Sequence, residues 1–256
     1  MVHKKLALGV LALALAMPFA HAESPPPAAV AANANAVDAG SVQALKNMGT
    51  YLQSLKRFTV MTELSGEKVL EDGQKLQHSA AATVQVQRPN MLKAKMWSAR
   101  NERELFYDGK QATLYTPELK FFGTVDAADT IGGMVEQLEA KYDIEVPLSD
   151  LFVWGTAAAP VDKLESAMNA GQDFVAGVLC DHYAFRQGKI DWQIWITNGD
   201  KPLPRKLVIT DRNDEARPQS VSLLNWNLKP SFKDSVFTFV PPKGAQPIGI
   251  RARDAK

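Results

Sequence analysis

Over most of this chain apolar residues return at every second position, and that period constrains the fold more than any other feature of the sequence. Phe58, Val60, Thr62 and Leu64 alternate with Thr59, Met61 and Glu63. Ala80, Ala82, Val84 and Val86 alternate with Ala81, Thr83 and Gln85 until Pro89, and Leu92, Ala94 and Met96 alternate with Lys93, Lys95 and Trp97. Side chains on a strand point to opposite faces in turn, so each segment predicts a strand with one apolar face. Leu105 and Tyr107 precede a turn at Asp108-Gly109, and Ala112 and Leu114 open the returning strand. Residues 174–185 predict one further strand, and Gly188 marks the turn into DWQIWIT, where Ile190, Trp192, Ile194 and Ile196 share a face. RKLVIT, SVSLLNWNL and VFTFV predict three more.

Helical spacing interrupts this pattern. Val42, Leu45, Met48, Leu52 and Leu55 recur at intervals of three and four, which predicts a helix from Ser41, with Ser41 as its cap. Ile131, Met134, Val135, Leu138 and Tyr142 lie on one side of a second helix that Asp129 or Thr130 can cap. Shorter helical pieces are expected over 148–154 and 161–168. The strand-to-helix junctions are too few and too poor in glycine for a doubly wound fold. The expected architecture is α+β and mostly β, a curved antiparallel sheet of about ten strands. The first helix packs on it, and the helices inserted mid-chain cover its concave face.

The N-terminus reads as an export signal. MVHKK is followed by an apolar stretch from Leu6 to Ala20, and small residues at Ala20 and Ala22 flank His21. The expected cleavage is after Ala22, with a periplasmic destination. The apolar stretch is shorter than the roughly 20 residues a spanning helix needs. Residues 23–40, rich in Pro and Ala, read as a flexible leader, and 41–256 as a single domain. Removing 1–22 takes away Lys4 and Lys5 and no acid, so the formal charge passes from +1 to −1. A chain so near neutrality lacks the basic surface of a nucleic-acid binder.

Catalytic chemistry finds few candidates. His78 and His182 are the histidines left after cleavage, and with the single cysteine, Cys180, they are too few for a zinc site. One cysteine cannot form an internal disulfide. Cys180 and His182 share a face of their strand, with Asp181 on the other, and Cys180 lies in the apolar run FVAGVLC, where a buried, unreactive thiol is expected. Asp211, Asp214 and Glu215 sit in a turn that lacks the glycine and final glutamate of an EF-hand loop. No enzyme, metal or cofactor is expected.

Several stretches carry a family resemblance: DWQIWITNGDKPLPRKLVITD (191–211), YDGKQATLYTPELKFFG (107–123), VAGVLCDHYAF (175–185) and FTFVPPKGAQPI (237–248). Over roughly 41–250 the chain resembles the predicted periplasmic proteins grouped as domain of unknown function 2092. That family looks like a relative of the LolA and LolB lipoprotein carriers, whose incomplete barrel is closed by helices around an apolar cavity. The resemblance implies a monomeric binder of a lipid or acylated cargo. Its cavity walls would be Phe58, Val60, Leu92, Met96, Leu105, Tyr107, Ile190, Trp192, Ile194, Leu207 and Ile209, under a lid bearing Met134, Val135 and Leu138. Arg57, directly after the first helix, is the candidate for the carriers' functional arginine. The alternative is a sensor that docks on a membrane or envelope protein partner.

Overall fold

The computed structural model of the chain describes residues 36–253. The expected signal peptide and residues 23–35 of the expected leader lie outside the described residues.

The described residues form one sheet. In chain order its strands are β1 (Arg57–Val69), β2 (Lys75–Gln87), β3 (Met91–Trp97), β4 (Glu102–Tyr107), β5 (Gln111–Thr116), β6 (Phe121–Asp126), β7 (Ser166–Val175), β8 (Val178–Gln187), β9 (Ile190–Thr197), β10 (Pro204–Asp211), β11 (Gln219–Asn227) and β12 (Gln246–Pro247). Their order across the sheet is β12-β6-β5-β4-β3-β2-β1-β11-β10-β9-β8-β7. Two meanders therefore meet where β1 pairs with β11, placing Val60 opposite both Val84 and Trp226. All neighbours are antiparallel except β12, which runs parallel to β6. The two outermost strands do not pair, so the barrel stays open.

Alternation decides which face is filled. Phe58, Val60, Val84, Leu92, Tyr107, Trp192 and Ile194, from both halves of the sheet, join one buried cluster with Leu45, Met48 and Leu52 of helix α1 (Ala39–Ser54) and Met134 and Leu138 of helix α2 (Ile131–Tyr142). For strands so far apart to share one cluster, the sheet must curve around the helices. A third, short helix, α3 (Asp150–Val153), adds Leu151 and Phe152.

The opposite, convex face has its own packing. Val175, Cys180, Trp195 and Val208 form a second cluster on the β7–β10 half. On the other half, the chain leaving β11 crosses the sheet as a strap. Phe237 is buried, and the Phe239 ring lies 5.0–5.3 Å from those of Phe106, Tyr115 and Phe122.

Several sequence expectations need correction. Helix α1 starts two residues before Ser41, because Asp38 is the cap: its carboxylate accepts from the Ser41 N–H at 2.7 Å and from the Ser41 hydroxyl at 2.6 Å. Of the two candidates for α2, Thr130 caps, accepting from the Gly133 N–H at 3.1 Å. Residues 174–185 are not one strand. Ala176 and Gly177 both have positive φ (48° and 78°), the backbone of a tight two-residue turn, and they split the segment into the β7–β8 hairpin. The expected helix over 161–168 shrinks to a 3₁₀ turn at Val161–Lys163 before β7 begins. VFTFV is not a strand: Asp234–Phe237 is a 3₁₀ turn and Phe239 belongs to the strap. Strands β6 and β12 were not foreseen, and the parallel pairing of β12 makes the sheet mixed.

Candidate binding pockets on the concave face

All eleven residues expected as cavity walls lie on the inner face, but they do not surround one trough. Phe58, Val60, Leu92 and Tyr107 are at most 1% exposed, packed beneath α1 and α2 in the middle of the sheet. They divide the interior. To one side is an apolar pocket of about 180 Å³, to the other a pocket of about 190 Å³.

The first pocket takes its floor from Ile190, Trp192 and Ile194 of β9, Leu207 and Ile209 of β10 and Leu224 of β11, and one wall from Met48 of α1. Its cover is the segment around α3, with Leu148, Leu151 and Trp154. The Trp154 ring lies 5.7 Å from that of Trp192, which stacks on Phe185 at 4.2 Å. The cover is fixed from below. Gly49 and Gly155 meet backbone to backbone, so closely that a Cβ at Gly49 would lie 2.7 Å from the Gly155 Cα. Gly155 also has φ +82°, a conformation that favours glycine. Next to this contact the Gln53 side-chain amide donates to the Trp154 carbonyl at 2.7 Å. One polar group in the pocket's wall is uncommitted: the indole N–H of Trp192 is buried and has no hydrogen-bond partner among the described residues. At the rim, Asp150 reaches solvent, while the crowding of protein atoms around its carboxyl raises its pKa.

The second pocket lies between Ala94, Met96, Leu105 and Leu114 of β3–β5 and the chain that follows α2, at Ile144 and Pro147. Its mouth carries Arg103, Asp143 and Glu145. The expected lid residues, Met134, Val135 and Leu138, line neither pocket, because α2 is part of the buried core. The cover lies downstream. The helical piece expected over 148–154 was among the helices expected to cover the concave face, but no lid residue was assigned to it, although Leu148, Leu151 and Trp154 recur every third position between Pro147 and Pro160.

Other expected candidates lie elsewhere. Arg57 lines neither pocket: its guanidinium donates to the Phe232 carbonyl, stacks 4.2 Å from the Phe232 ring and faces Asp234 at 3.7 Å, tying β1 to the strap. Cys180 is fully buried on the convex side, where burial pushes its thiol pKa up. His182 stacks on Trp195 at 4.0 Å and its Nε2 lies 2.9 Å from Gln193 Oε1. Asp211 and Asp214 accept backbone N–H groups within their own turn, from Asn213 at 2.8 Å and Ala216 at 2.9 Å.

The model of the family described as "Predicted periplasmic protein (DUF2092)" matches residues 41–251. The chain belongs to this family. No curated protein matches this DUF2092 sequence. Among solved structures it is similar to LprF from Mycobacterium bovis, at 13% identity and TM-score 0.46 over 82% of this chain and 100% of that one. It is also similar to the LolA superfamily protein NE2245 from Nitrosomonas europaea, at 9% identity and TM-score 0.38 over 78% and 97%. The MucA/MucB complex of Pseudomonas aeruginosa gives 13% identity and TM-score 0.42 over 75% of this chain and 59% of that one. No helix among the described residues is long and apolar enough to cross a membrane.

Proposed function

We propose that this protein is exported to the periplasm, with its signal peptide cleaved after Ala22, and there holds the apolar part of a lipid or lipid-linked cargo without forming a covalent bond. The observation that carries the reading is the pocket beneath Trp154, whose floor is aliphatic and aromatic from Ile190 to Leu224 and whose cover is the short α3 segment, half-buried at Leu148 and Trp154. At about 180 Å³ it resembles in size the ~150 Å³ apolar cavities that stay dry and accept benzene-sized guests. Each methylene moved there from water gains about 0.8 kcal/mol. A chain of about 16 carbons would gain on the order of 10 kcal/mol before association costs. So long a guest exceeds the closed pocket, so its entry displaces Trp154 and the α3 segment. The free indole N–H of Trp192 then supplies one donor for an ester or amide carbonyl of the guest.

The test is mass spectrometry of gently purified protein, together with uptake of a fluorescent fatty acid. Co-purified lipid and saturable uptake support the reading; neither lipid nor uptake overturns it.

A second reading, docking on an envelope protein partner, is supported by the β7–β8 hairpin. Phe174 is 69% exposed and its cross-strand neighbour Leu179 40% exposed, beside an edge strand that beyond Ala167 pairs on one side. Recovery of one stable protein partner from envelope extracts favours docking, and transfer of lipid between membranes favours the carrier.

A further inference from the structure

A third recess, of about 590 Å³, opens where the end of α1, the turn between β2 and β3 and the start of α2 come together. Its lining differs in kind from that of the two apolar pockets. Lys56 and Arg88 supply two cations, Gln53, Thr130 and Thr156 supply neutral polar side chains, and no carboxylate is present. Neither cation makes an ion pair among the described residues, whereas Arg186, Arg212 and Arg217 all converge on Asp191. Arg88 spends one N–H on the Leu52 carbonyl at 3.4 Å, and its buried Nε–H has no partner. The ring of Phe152, 5.9 Å from the guanidinium, forms part of the floor.

An arginine keeps its charge at any physiological pH, so a partly buried one without a counter-ion leaves a standing demand for an anion. The planar fork of a guanidinium suits an oxyanion with several acceptor atoms, and an ammonium adds a mobile point charge. The first turn of α2 borders the same recess at Ile131 and Gly132. We propose that this recess binds a phosphate group, either as free phosphate or as the headgroup phosphate of a lipid. The site is separate from the pocket beneath Trp154 and does not depend on that pocket holding lipid.

The test is calorimetric titration of the full chain with inorganic phosphate and, separately, with a short-chain phosphatidylglycerol below its micelle concentration, at fixed ionic strength. Saturable binding that weakens at least about tenfold in Lys56→Glu and in Arg88→Gln is the expected result. Lys56 is exposed, so its variant keeps the test decisive if loss of Arg88 impairs folding. Phosphate binding as tightly as the lipid identifies a soluble ligand; a lipid binding about tenfold tighter or more identifies a headgroup. Absence of saturable binding of either, or binding unchanged in Lys56→Glu, overturns the proposal. Uptake of fluorescent fatty acid should be unaltered in Lys56→Glu, so the two sites succeed or fail separately.

Discussion

The Tyr107 hydroxyl donates a 2.6 Å hydrogen bond to the carbonyl of Ala128, fastening the inner face of β4 to the loop that enters α2. The ring is fully buried, and desolvation, with Asp129 and Asp108 adding to it, pushes the phenol pKa up to about 12. The fold thus favours the protonated phenol. Its contribution is complete below the ordinary value of about 10 and is lost as the pH rises through about 12. Tyr107→Phe should lower stability by about 1–2 kcal/mol in urea unfolding at neutral pH. The gap between variant and wild type should narrow above pH 10.

Gly49→Ala should destabilise the protein although alanine favours helices. Its methyl group would enter the backbone of Gly155, which cannot retreat without lifting Trp154 from the pocket. A loss of about 1–3 kcal/mol is expected, read as a lower Tm in thermal unfolding. Alanine at half-buried Gly66, where an added Cβ meets nothing within 4 Å, is the control.

Leu207→Trp should fill the pocket beneath Trp154 from its floor. Fluorescent fatty acid uptake should fall about tenfold or more, equivalent to roughly 1.4 kcal/mol, with cooperative unfolding retained. Uptake equal to wild type would move the guest to the pocket between β3–β5 and the chain after α2.

Those experiments probe what the sequence left open. Alternation was enough to place every expected wall residue on one face, because a half-covered antiparallel sheet writes its inside and outside into the sequence. It failed where apolar side chains stand on both faces, covered or not. Residues 174–180 read as an unbroken apolar run because Val175 and Cys180 pack on the convex side, so the turn at Ala176-Gly177 had no polar residue to announce it. VFTFV carried a strand's pattern, yet Phe237 and Phe239 serve a strap. The division of the interior was out of reach. It comes from Phe58, Val60, Leu92 and Tyr107 packing against α1 and α2, contacts between residues far apart in the chain that leave no periodic trace.

Asp191 sits among three arginines, accepting from Arg186 Nε at 2.7 Å with Arg217 at 3.5 Å and Arg212 at 3.7 Å. The Arg186 hydrogen bond, above all, holds its carboxyl below the usual range. Its stabilising effect is therefore present above about pH 4 and lost as the pH falls through the lowered value. Asp191→Asn should cost about 1 kcal/mol at pH 7. In acid unfolding the difference from wild type should shrink below about pH 4 and vanish once the pH is below the lowered value.

Cys180 should be inert to a thiol-specific reagent in the native protein, since it is fully buried and burial raises its pKa. One thiol should react on unfolding in urea, at the rate of unfolding. Rapid labelling without denaturant would show that the convex cluster opens locally.

The strap has a consequence for manufacture. A chain made from its N-terminus delivers β6 long before residues 234–248, which seat Phe239 among three rings and lay β12 along the outer side of β6. Until those last residues arrive, that margin of the sheet is raw and its aromatic side naked. A product cut short after Asn227 would still carry eleven of the twelve strands, yet it would display the surface that chaperones and proteases recognise as unfinished.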